Sequence, residues 1–125
     1  MRYIISIALI VVGIIHLLPL SGVLGADRLA SLYGVAFEDP NAVILMRHRA
    51  VLFGLLGAYF VAAAFLPSLQ ISAFIAGFAS VVSFLLLAWS VGQYNGSIAK
   101  VIAVDLVALA FLVVGFGFYW FGRRG

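Results

Sequence analysis

The chain contains no cysteine and only four acidic residues. The first absence excludes disulfides, thiolate metal sites and cysteine nucleophiles. The second leaves no paired carboxylates for hydrolysis. Charged residues make up 9% of the sequence, against about 25% in a soluble globular domain. The formal net charge of +3 is too small and too scattered for a nucleic-acid surface. There is no phosphate-cradling glycine-rich loop and no Ser-His-Asp set with usable spacing. Two histidines without a cysteine do not make a zinc centre, and no metal site is expected.

What is abundant is hydrocarbon. Of 125 residues, 66% are hydrophobic and the mean hydropathy is +1.29. A soluble domain of this length would lack the polar side chains to cover its outside. A membrane-crossing helix needs about 20 mostly apolar residues. Four stretches qualify, at about 3–20, 42–66, 69–92 and 98–121. The expectation is an all-α integral membrane protein, a four-helix transmembrane bundle forming one domain over 1–125. Arg2 and the run from Ile4 to Ile15 loosely resemble a signal peptide. No small-x-small cleavage site follows, so an uncleaved anchor is expected.

The breaks have local causes. Pro67-Ser68 stops the second span, because the residue before proline is pushed out of the α region. The short turn that follows makes spans two and three antiparallel neighbours. Gln93-Tyr94-Asn95-Gly96-Ser97 centres on an Asn-Gly reversal. The long connection between spans one and two is expected to be partly helical, with Asp27 as cap and Gly34 as a left-handed stop. Asp39-Pro40 reads as N-cap and first helical residue of span two.

Alternating spans put both termini on one side of the membrane, side A, with Arg2, Arg123 and Arg124. With Arg47, Arg49 and Lys100 set aside as embedded, the Lys/Arg bias favours side A as cytoplasmic; counting them erases the bias and leaves dual insertion open. The opposite half, side B, collects the polar residues. His16 lies near the side-B end of span one. Arg47, His48 and Arg49 lie roughly 10–13 Å along span two from Pro40, at 1.5 Å per residue. Lys100 and Asp105 open span four. Cations inside a bilayer cost roughly 2.5–3.5 kcal/mol each on insertion scales, so they mark a partner or a task. Arg47 and Arg49 point about 160° apart, so one facing the axis sends the other to a flanking helix, the interface or the long loop. Asp105, the one carboxylate within a span, is expected to pair with Arg47 or Arg49. A small-residue stripe, Gly54, Ala58 and Ala62 with Gly57 beside it, and a second at Ala73 and Gly77, suit close helix packing. Ser72, Ser80, Ser83 and Ser90 share one face of span three. Tyr3, Trp89, Tyr94, Tyr119 and Trp120 read as interfacial anchors.

The runs His16-Leu17-Leu18-Pro19-Leu20-Ser21-Gly22, Leu32-Tyr33-Gly34, Asp39-Pro40 and Met46-Arg47-His48-Arg49-Ala50-Val51-Leu52-Phe53-Gly54 resemble small bacterial inner-membrane proteins loosely related to the DoxX-like four-helix proteins. The resemblance covers about the first half of the chain. It implies a four-helix membrane fold and no particular chemistry. Some members carry a phosphopantetheine adenylyltransferase label, an activity excluded here by the missing His-x-Gly-His element. The small multidrug exporters and the fluoride channels fit poorly, since span one has no carboxylate and span three lacks the channels' polar break.

The functional expectation is a basic intramembrane layer of Arg47, His48, Arg49, His16 and Asp105 that binds a membrane lipid or a quinone-like amphiphile. One alternative is a proton-coupled transporter or channel, acting as a homodimer and titrating at Asp105 and His16. Another is a scaffold or accessory subunit. A haem between His16 and His48 is a weaker fourth reading. No catalytic residue and no cofactor is assigned.

Overall fold

The computed structural model describes residues 2–124. Met1 and Gly125 lie outside the described residues, as do the side chains of Arg123 and Arg124 counted for side A. The elements are α1 (Arg2–Leu17) with a 3-10 extension (Leu18–Leu24), α2 (Ala26–Tyr33), α3 (Pro40–Phe65), a 3-10 turn (Pro67–Leu69), α4 (Gln70–Val91) and α5 (Gly96–Arg124). Four helical stretches, Arg2–Leu24, Pro40–Phe65, Pro67–Val91 and Gly96–Gly122, are long and apolar enough to cross a membrane. The chain is an all-α membrane-type four-helix bundle, and α2 lies in the connection between its first two spans. The outward faces are apolar, with Ile44, Leu45 and Leu55 on α3, Leu86 and Leu87 on α4 and Val113 and Val114 on α5 all exposed.

The chain breaks follow backbone hydrogen-bond accounting. Pro67 has no N–H to offer the Ala63 carbonyl one turn back. The side chain of Gln70 replaces it, donating from Nε2 to Ala63 O at 3.2 Å, while Ser6 Oγ donates to Ala64 O at 2.7 Å. Two carbonyls at the end of α3 are thereby satisfied from two other helices. Asp39 caps α3 as expected, its Oδ1 accepting from Asn41 N at 2.9 Å. Gly34 stops α2 at φ 67° as expected. Asp27 is not the cap: Gly25 holds that position at φ 139°, and Asp27 falls in the first turn, where its charge complements the helix N-terminus.

α1 lies between α3 and α5, and α4 packs on α5. The closest approach is between α1 and α3. A Cβ on Gly13 would sit 2.9 Å from Gly57 O, and one on Gly57 would sit 2.8 Å from Gly13 O. The two backbones touch there because neither residue has a side chain. The expected stripe is shifted accordingly: Ala58 and Ala62 are exposed, and the buried small residues of α3 are Ala50, Gly54, Gly57, Ala63 and Ala64. Ala73 and Gly77 on α4 are buried as expected. The core joins Leu9 and Val12 of α1, Phe60 of α3, Phe74 and Val81 of α4, and Leu112 of α5.

Candidate functional site

α3 and α4 bond to each other near their connecting turn, through Tyr59 and Ser72 and through Gln70 and the Ala63 carbonyl. Toward side B, a cavity of about 260 Å³ lies among the spans, with Phe53 of α3 and Phe84 of α4 in its wall and Tyr33 of α2 beside it. That volume is just below the usual small-molecule range. It has room for a headgroup or a single ring, not for a whole amphiphile.

Arg49 supplies one wall. It is half-buried, its Nη1–H donates to the Tyr33 hydroxyl at 2.6 Å, and its guanidinium lies 4.4 Å from the Phe53 ring centre and 5.5 Å from that of Tyr33. Stacking on two rings and a charged hydrogen bond fix the guanidinium and leave its other N–H donors to the cavity it lines. The Tyr33 oxygen accepts from Arg49, so its own O–H remains to be donated. α5 supplies the facing wall. Ser97, Val101, Val104 and Asp105 recur at helical spacing along one face, with Lys100 beside them. Asp105 is partly buried on this wall, and no hydrogen bond or ion pair joins it to Arg49 among the described residues.

His16 lines the inner end, 2% exposed. Its Nδ1–H donates to Val12 O at 2.9 Å, and its Nε2 lies 2.8 Å from Ser80 Oγ on α4. A carbonyl only accepts, so Nδ1 carries a proton, and the Ser80 hydroxyl, which can donate or accept, satisfies Nε2. Phe53 stacks on the ring at 5.5 Å and Phe60 meets it edge-on at 4.8 Å. With both nitrogens engaged, His16 pins α1 to α4. The two histidines of the haem reading differ in setting, His16 being buried and bonded and His48 exposed on α3.

The structure therefore gathers His16, Arg49 and Asp105 and separates Arg47 and His48 from them. Arg47 is exposed and reaches back to the 3-10 extension of α1, donating from Nε to Val23 O at 2.7 Å. His48 is exposed on the outer face of α3. The 160° divergence of the two arginines decides this split: one guanidinium turns inward and the other serves the loop. Tyr33 and Lys100 belong to the site and stand outside the expected set. Lys100 lines the same wall of α5 as Asp105, nearer the side-B end of the helix. Tyr33 could have been found from its position four residues after Leu29, the two forming the buried face of α2.

Asn95 closes the site from above. Its Oδ1 accepts from Ile98 N at 2.8 Å, capping α5, while its Nδ2 donates to Tyr33 O at 2.8 Å and Gly34 O at 3.2 Å. A second cavity, of about 570 Å³ on side A, is bordered by Arg2, Tyr3, Ser6, Phe65 and Gln70. Ser6 and Gln70 there already serve the α3 carbonyls, so it presents little fixed polarity to a ligand. No protein-family model, curated protein or solved structure matches the chain.

Proposed function

We propose that this protein binds the polar head of an anionic or quinone-like amphiphile in the side-B cavity, with the tail left among the spans. The observation that carries this reading is a divided wall. Arg49, Lys100 and the Tyr33 hydroxyl supply cationic and hydrogen-bonding groups, while Phe53, Phe84, Val101 and Val104 supply the apolar remainder. A lone cation in a span could be a packing device. Two cations and an oriented phenol around an open volume favour a ligand, because charge-assisted donors are strongest in a poorly hydrated site. We further place the protein in a bacterial inner membrane with both termini cytoplasmic, on the lysine and arginine bias of its loops.

Native mass spectrometry of gently extracted protein tests the reading. The expected result is a retained amphiphile that is lost, together with its thermal stabilisation, in Arg49→Gln and Lys100→Gln. A protein with no adduct, whose melting temperature ignores added anionic lipid and added quinone, would remove the proposal.

A further inference from the structure

Resting on the reading that an amphiphile's head occupies the cavity, and replacing the purely anionic or quinone head by a zwitterionic one, we infer that the cavity selects a lipid headgroup bearing both a phosphate and a primary ammonium, as in a phosphatidylethanolamine. The cavity is lined by charges of both signs: Arg49 and Lys100 are positive and Asp105 is negative. A purely anionic head gains from the first two and is repelled by the third. A quinone carbonyl meets the same difficulty, since it brings acceptors and no donor to the carboxylate. A head with both signs satisfies every charged group in the wall.

Placement agrees with this. Lys100 and Asp105 lie about 7.5 Å apart along α5, from five residues at 1.5 Å each, so the cationic and anionic ends of the wall are at different depths. Arg49 is held by Phe53 and Tyr33 and offers its free N–H groups together with the Tyr33 O–H, a donor set that matches phosphate oxygens. Asp105 makes no hydrogen bond among the described residues, so its lone pairs are open to the N–H donors of a primary ammonium. A quaternary ammonium has the same charge and no N–H to give. Discrimination therefore rests on hydrogen bonds to a charged group, which are among the stronger ones in proteins.

Competition in mixed micelles tests the inference. Phosphatidylethanolamine, phosphatidylcholine and phosphatidylglycerol with matched acyl chains are supplied in equal amounts, and bound species are counted by native mass spectrometry. Phosphatidylethanolamine is expected to bind at least about tenfold better than phosphatidylcholine, from the lost charged hydrogen bonds. Asp105→Asn, nearly the same shape, should erase the preference for phosphatidylethanolamine over phosphatidylglycerol while lipid is still retained. Asp105→Glu should keep that preference. Phosphatidylglycerol binding as well as phosphatidylethanolamine to the unaltered protein would overturn the headgroup assignment and leave amphiphile binding standing. Complete absence of adducts would overturn both. Glycerophosphoethanolamine, the same head without acyl chains, separates the sources: displacement of lipid at equal concentration would make the occupant a soluble compound and refute the lipid.

Discussion

The backbone contact between α1 and α3 allows a prediction with an internal control. In Gly57→Ala the new methyl would lie 2.8 Å from Gly13 O and 2.7 Å from Leu17 Cγ. Carbon–oxygen contacts normally begin near about 3.3 Å. Leu17 can turn away, but a carbonyl within a helix cannot, so the helices must part by about 0.5 Å. Overpacking of this kind costs about 1–3 kcal/mol. Replacing glycine by alanine inside a helix returns about 1 kcal/mol in propensity. Gly117→Ala, with nothing within 4 Å of its new Cβ, gains the propensity and meets no clash. The propensity contribution cancels between the two variants, so Gly57→Ala should be less stable than Gly117→Ala by about 1–3 kcal/mol. Reversible unfolding in mixed micelles of mild detergent and dodecyl sulfate, followed by the fluorescence of Trp89 and Trp120, measures the difference. Equal stability of the two variants would refute the touching backbones. Adding Gly13→Ala to Gly57→Ala should cost less than the sum of the single changes, because either one opens the same gap.

Ser80→Ala leaves Nε2 of His16 without its partner and should destabilise the bundle by about 1–2 kcal/mol in the same unfolding assay, with Ser90→Ala neutral. Gly34→Ala places a side chain at φ 67° and 2.9 Å from Ser97 Oγ, which should cost about 1–3 kcal/mol and raise the melting temperature in no condition. Asn95→Asp keeps an acceptor for the α5 cap and loses both donations to α2. Hydrogen exchange should therefore accelerate in α2 and stay unchanged at Ile98 and Ala99. Arg47→Gln removes one exposed contact to Val23 and should cost no more than about 1 kcal/mol, leaving lipid retention intact.

The spans were legible because a bilayer demands length and hydrophobicity, and both are written in composition. So were the stops: Pro67, the Asn95-Gly96 reversal and the Asp39-Pro40 start each act through their own backbone chemistry. The polar layer was legible as a depth, since rise per residue places His16, Arg49 and Asp105 at one height. What periodicity could not supply was azimuth. Spans apolar nearly all round carry no marked inner face, so Ala58 and Ala62 read as interface although they face outward, while Ala50 and Ala64 do the packing. The same weakness hid the division between Arg47 and Arg49, which depends on where α2 and the 3-10 extension fold back. Tyr33 entered the site through that tertiary placement. Asp27 lost the capping position to Gly25 because the chain leaving the 3-10 extension needs a positive φ there.

One amide side chain, that of Asn95, holds the roof of the cavity and begins the helix that forms its far wall. Lifting Tyr33 and Gly34 away from the cavity forfeits both Asn95 bonds and the Arg49 bond. At about 0.5–1.5 kcal/mol each, that keeps the roof in place in all but roughly one molecule in ten to one in two thousand. A guest that reached the cavity with Tyr33 left in place would forfeit none of them. One side chain thus ties the stability of the roof to that of the far wall, and loosening either loosens both.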